Sequence, residues 1–247
     1  MNNLIKKIGI ALAAVGPGLF LIGYNIGTGS VTTMAQSGAN HGMSLFWALI
    51  LSCLFTYILM VAYGRLTIVS GKTALYALKT EFKYGWIIAI YILIAIVIGE
   101  LLALIGVMGI VADLVQEGLK MVFEKPIPTF WIILVLSIAL YILIWYGKYK
   151  QFEKVLIVFV LLMAFSFLIV FVLVKPDLKE IINGMIPQIS NAPGTFGLIA
   201  AMAGTTCSAA VFIMRSTVVA EKGWNKSNIA EEKKDSFVSA TMMLVLS

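Results

Sequence analysis

Gly23-Tyr24-Asn25-Ile26-Gly27-Thr28-Gly29-Ser30 sits inside a run that is otherwise largely apolar from Ile8 to Ala39. The fold turns on how this interruption is read. Glycines and hydroxyl side chains at Gly27, Thr28, Gly29 and Ser30 favour local unwinding of a helix. Unwinding frees backbone N–H and C=O groups, which at membrane depth must be satisfied by protein, water or ligand. A second reading is close helix packing, since Gly23-x-x-x-Gly27 is also a small-xxx-small pattern. These residues alone leave the two readings level.

The surrounding chain makes the solvent lipid. Apolar residues are 61% of the 247 and charged residues 12%. Soluble domains carry about a quarter charged residues and at most about half apolar, so a soluble core of this size cannot absorb the excess. A helix needs about 20 apolar residues to cross the hydrocarbon core. Stretches at 8–39 (interrupted), 44–69, 84–112, 128–147, 154–174 and 195–219 meet that length. A seventh starts near Phe237 and is still apolar at Ser247, which reads as the opening of a span in a longer chain. The whole is expected to be one all-α transmembrane domain. The segment after Lys6 and Lys7 continues apolar past any signal-peptide cleavage site, so it reads as a first span.

Basic residues alternate by side. With the N-terminus in the cytoplasm, the inner segments hold Lys6, Lys7, Arg65, Lys72, Lys79, Lys83, Lys148, Lys150, Lys154, Arg215, Lys222, Lys226, Lys233 and Lys234. The outer segments hold only Lys120, Lys125, Lys175 and Lys179. The positive-inside rule therefore places the N-terminus in the cytoplasm, and the localisation expected is a bacterial plasma membrane. The net charge of +6 is a topology signal. Nucleic acid is excluded as a partner, because its binding needs the basic groups on one exposed face. The partners expected are the lipid bilayer and a small ion or solute.

Span six carries a feature that matches span one. Ala203-Gly204-Thr205-Thr206-Cys207-Ser208-Ala209-Ala210 is a mid-span run of small and hydroxyl residues. Such hydroxyls often bond back to their own helix, but interrupted segments at corresponding positions of two repeats point to a transporter site. Spans one and six correspond in a fold that repeats after five spans. Glu100 is the only charged residue between Trp86 and Ala112. An intramembrane carboxylate is a functional hypothesis by default, with a proton-relay or ion-coupling role set against a hydrogen-bonded structural one. His41 reads as a solvated loop residue. Glu231-Glu232-Lys233-Lys234-Asp235 reads as the solvated inner end of span seven. Cys53 and Cys207 lie in apolar segments, which excludes a disulfide framework and a cysteine zinc site. No nucleophile–base pair, phosphate-cradling loop or metal-ligand spacing occurs, so hydrolytic chemistry is not expected and the chain does not read as an enzyme.

Several motifs in order carry a resemblance. Gly16-Pro17-Gly18, then Gln36-Ser37-Gly38-Ala39 with Gly42 and Trp47, is similar to the first span and its exit in one transporter family. Arg65-Leu66, Ile68-Val69, Gly71-Lys72, Phe152-Glu153-Lys154, Gly204-Thr205-Thr206 and Glu221-Lys222-Gly223-Trp224 follow the same family through the later spans. The chain resembles the NRAMP (natural resistance-associated macrophage protein) family of divalent-metal transporters, as a divergent, N-terminal portion. The resemblance implies a leucine-transporter-type fold of two inverted five-span repeats with broken spans one and six. It implies alternating access and proton-coupled symport of a divalent cation, as substrate and not as cofactor; no cofactor is expected. The family's first-span Asp-Pro-Gly-Asn falls on Gly27, Thr28, Gly29 and Ser30, so the carboxylate is lost. Its sixth-span Met falls on Ser208, and the following Pro-His on Ala209 and Ala210. Its third-span acid falls on Glu100, with a second acid replaced by Ala103. The substrate site expected is thus Gly27, Thr28, Gly29, Ser30, Thr205 and Ser208, with Ser30 and Ser208 as metal ligands and Glu100 as the coupling group. Two other readings stay open. One is a transporter of the same fold for an amino acid or other organic solute, which a site without its own carboxylate suits. The other is a non-transporting membrane subunit or sensor.

Overall fold

A computed structural model of the chain describes residues 28–123, 128–146, 162, 165–175, 177–189 and 193–246. The described residues form helices and no strand. They are α1 (Thr28–His41), α2 (Phe46–Ser70), α3 (Ala74–Glu81), α4 (Gly85–Phe123), α5 (Thr129–Tyr146), α6 (Phe165–Val174), α7 (Leu178–Gly184), α8 (Thr195–Thr206), α9 (Ala209–Glu221) and α10 (Ile229–Leu246). Phe46–Ser70, Gly85–Met121 and Thr195–Glu221 are each long and apolar enough to cross a membrane. The first part of the expected first span, including Gly27, lies outside the described residues. His41 closes α1 and does not sit in a loop. α4 runs well past residue 112, where its apolar stretch was expected to stop, and α10 begins at Ile229, ahead of Phe237.

The chain divides into two compact units. Among the described residues the first takes in 28–97 and those from 177 onward; the second takes in those between 98 and 175.

In the first unit α2 is the central helix, with α8, α9, α10, α3 and α7 packed on it, and α1 packs on α8. One face of α2 is buried at Ala48, Ser52, Thr56, Met60 and Gly64. A repeat of four places these residues on one stripe, and the small ones, Ala48, Ser52, Thr56 and Gly64, let neighbouring backbones approach. Leu51, Leu54, Phe55, Ile58 and Val69 point the other way and are exposed, as suits lipid. The hydroxyls of Ser52, Thr56, Thr67 and Ser70 each donate to the carbonyl four residues back, so they cross the apolar layer without an unpaired donor. Gly71 ends α2 with φ 67°, its N–H bonding Thr67 O at 2.9 Å. Only a residue without a Cβ takes that left-handed cap at no cost.

The second unit holds the rest of α4 with α5 and α6. Ala112 and Ile132 are its buried apolar residues among those described. Much of its remaining apolar surface, for instance Leu101, Leu104, Ile105 and Val135, is exposed.

Candidate functional site

Span six is broken. α8 stops at Thr206, Cys207 turns aside at φ −105°, ψ 55°, and Ser208 is extended at φ −76°, ψ 137° before α9 begins at Ala209. The last helical bond of α8 is Cys207 N–H to Ala203 O, 2.8 Å, and α9 opens with Val211 N–H to Ser208 O, 3.1 Å. Two side chains support the interruption. Thr205 Oγ1 lies 3.0 Å from Ala201 O and 3.2 Å from Met202 O, so its hydroxyl bonds back onto α8. Thr56 Oγ1 on α2 lies 3.0 Å from Thr206 O and 2.7 Å from Ser52 O. Its single proton is shared between the two. It supplies Thr206 with a donor where the broken helix no longer does. The break brings the carbonyl end of α8 to the N–H end of α9. Those ends carry opposite partial charges, one suited to a cation and the other to an anion.

α1 faces this break. A Cβ on Gly29 would come 3.4 Å from Thr205 Cγ2, so α1 packs close to α8 at this point. Ser30, the next residue, is buried at 4% exposure. The structure therefore brings Gly29 of span one to Thr205 of span six, with Ser30 buried next to it. Ser208 is half-buried at the N-cap of α9, and its side chain makes no capping bond there. Thr28 is the first residue of α1, but its side chain, like all of Gly27, lies outside the described residues. Glu100 is exposed on α4 within the second unit, which is described by itself. Among the described residues no three His, Cys, Asp or Glu side chains come together. The donors on offer at the break are hydroxyls and main-chain carbonyls, which suit hard cations. The thiol of Cys207 turns instead into an apolar cluster of Met60, Val211 and Phe212.

An ionic cluster lies two turns along α9. Arg215 is fully buried. Its Nη1 pairs with Asp235 Oδ2, and its Nη2 lies 3.2 Å from Glu232 Oε1, 3.2 Å from Glu232 O and 3.0 Å from Ser236 Oγ. Ser236 Oγ donates to Glu232 Oε1 at 2.8 Å. The Trp224 ring centroid is 5.8 Å from the guanidinium. This corrects the reading of residues 231–235 as a solvated segment at two positions: Glu232 is 0% and Asp235 6% exposed, while Glu231, Lys233 and Lys234 are exposed. The physical reason is register. α10 starts early enough to place positions 232, 235 and 236 on one helix face, and that face meets Arg215. Arg215 itself, expected among the inner-segment basic residues, is a buried partner. Sequence reasoning missed Thr56 as well. Its one visible signal was a hydroxyl four residues after Ser52 on an apolar helix.

Residues 18–247 match the family model described as natural resistance-associated macrophage protein-like. The chain is 26% identical over 239 residues to the divalent metal cation transporter MntH of Staphylococcus aureus, covering 94% of this chain and 50% of that protein. It is 25% identical over 222 residues to the metal transporter Nramp1 of Oryza sativa subsp. japonica, covering 86% of this chain and 41% of that one. Among solved structures, the Eremococcus coleocola manganese transporter in complex with an aromatic bis-isothiourea substituted compound superposes with a TM-score of 0.71 at 19% identity. That superposition covers 95% of this chain and 49% of the other. The chain thus spans about half the length, or somewhat less, of the relatives it matches.

Proposed function

The chain belongs to the natural resistance-associated macrophage protein-like family, and from that premise we propose that it forms part of a secondary transporter moving a divalent metal cation through the break between α8 and α9. It is an integral membrane protein with the fold of the manganese transporter it superposes on, the leucine-transporter type with a broken sixth span. The observation that carries the reading is the packing of α1 on α8, with Gly29 facing Thr205 beside the unwound Cys207–Ser208. In this reading Gly27, Thr28, Gly29, Ser30, Thr205 and Ser208 surround the ion, and Ser30 and Ser208 offer hydroxyl oxygens to it. Glu100 carries the coupling proton, supported by its place as the only charge between Trp86 and Ala112. The N-terminus faces the cytoplasm. Oxygen donors without a thioether favour a hard ion such as manganese or magnesium over softer ones. The lack of a carboxylate at positions 27–30 favours weak binding.

The test is manganese and magnesium uptake into proteoliposomes under an inward proton gradient, with Glu100→Gln beside the parent. Saturable uptake that weakens in the variant supports metal transport coupled through Glu100. Absence of uptake above empty vesicles, with the protein shown to be folded, overturns it.

One observation favours a second reading. The N-cap of α9 lacks a side-chain capping bond, and the described residues near the break hold no carboxylate cluster. A helix N-terminus of that kind suits an anionic group, so an amino acid or other organic acid is the solute to assay next.

A further inference from the structure

A groove of about 600 Å³ opens where α3 folds back toward α4, away from the break in span six. Thr73, which caps α3, and Tyr76 and Lys79 of α3 line one side of it. Trp86, Ala89, Ile90 and Leu93 line it from α4, at the i, i+3, i+4, i+7 spacing of one helix face. That stripe climbs about 10 Å along α4 at 1.5 Å per residue, and it is apolar from Ala89 onward. Two close contacts hold the shape. Ala74 and Ala77 turn the other face of α3 into the protein, where Ala74 N–H donates to Ser216 Oγ at 3.1 Å. Gly85 starts α4 so close to α3 that a Cβ would sit 2.8 Å from the carbonyl carbon of Leu78.

The groove lies between the end of one membrane-crossing helix at Ser70 and the start of another at Gly85, hence at the membrane–water boundary. Tyr76 and Trp86, both 54% exposed, are the amphipathic rings typical of that level. Charge at this boundary is one-sided. Glu81 is the only acid of the segment and is already held by Lys72 Nζ at 2.5 Å. Lys83 lies over the Tyr84 ring at 5.8 Å. Among the described residues Lys79 makes no ion pair, so the mouth of the groove carries uncompensated positive charge.

We propose that this groove binds one anionic phospholipid, its phosphate at Lys79 and Thr73 and an acyl chain along Ala89, Ile90 and Leu93. Neither half of the site suffices alone. An apolar stripe takes any acyl chain, and a surface lysine attracts any anion, whereas their junction at the headgroup level selects a molecule with both parts. Basic residues near a bilayer surface attract anionic lipid additively.

Native mass spectrometry of the protein in detergent, with phosphatidylglycerol and phosphatidylcholine at equal mole fraction, tests it. The parent should retain phosphatidylglycerol in preference. Lys79→Gln should cut that preference about fivefold, the worth of one basic group near a bilayer surface, and Lys79→Arg should keep it. Ala89→Phe, which fills the stripe and leaves the charges alone, should lower retention of the lipid itself. No preference in the parent, a preference unchanged by Lys79→Gln, or retention unchanged by Ala89→Phe in a variant with parental thermal unfolding would each overturn the assignment.

Discussion

Gly64 on α2 and Glu232 on α10 stand so close that a Cβ on the glycine would lie 2.7 Å from the carboxyl carbon of Glu232. A central membrane helix has given up a side chain so that a buried carboxylate can reach Arg215. Gly64→Ala should therefore destabilise the protein by about 1–3 kcal/mol, the usual range for overpacking. Thermal unfolding in detergent measures it. Against a Glu232→Ala background the same change should cost little, because the two effects share one contact. Equal losses in both backgrounds would show that Gly64 acts through something else.

Arg215 is the cation that lets Glu232 and Asp235 stay buried. Arg215→Met should lose about 3–5 kcal/mol, since it strands two carboxylates in a low-dielectric site. Replacing all three charges by apolar residues of similar volume should recover most of that loss, because a well-packed apolar core often equals a buried ion cluster. Expression level and thermal unfolding of the two variants, side by side, decide the matter.

Thr56 donates across the helix boundary to Thr206 O at 3.0 Å. Thr56→Val keeps the shape and removes the donor that α2 offers to Thr206 O. A loss of about 1–2 kcal/mol is expected. In the uptake assay the half-saturation constant should move, while Thr56→Ser should restore both quantities. A variant that unfolds earlier yet transports with parental kinetics would separate Thr56 from the site.

Glu81 is exposed, and the hydrogen bond and charge of Lys72 hold its carboxyl below the ordinary value of 4.5. A depressed carboxylate contributes stability that is present above its unfolded value and lost as pH falls through its folded value. The difference in thermal unfolding between the parent and Glu81→Gln should thus be constant from neutral pH down to about 4.5, shrink below that, and vanish once pH passes the lower folded value. Because the pair is solvated, the difference at neutral pH should be small. A difference that grows on acidification would mean Glu81 acts otherwise.

Helical stretches were legible in the sequence, because lipid imposes length and composition on any helix that crosses it. The stretch near 44–69 is the helix Phe46–Ser70, long and apolar enough to cross a membrane, and that near 128–147 contains the shorter apolar helix Thr129–Tyr146. The interruption of span six at residues 203–210 was legible from its small and hydroxyl residues, and it falls at Cys207–Ser208. What misled was charge. Glu231 to Asp235 is polar enough to look solvated, and Arg215 looked like one more inner-loop cation.

That difference has a physical origin. Lipid solvent and helical hydrogen bonding act locally, so apolar length, glycine and hydroxyl content of a segment are sufficient to mark the spans and the break. Pairing is not local. Gly29 meets Thr205, Thr56 bonds Thr206, and Arg215 takes its carboxylates 17 and 20 residues away on another helix. Each contact depends on the crossing of two helices, and that crossing is set by packing over whole faces. A charged residue near a helix end is compatible with water or with a buried partner, and only the folded neighbourhood chooses between them.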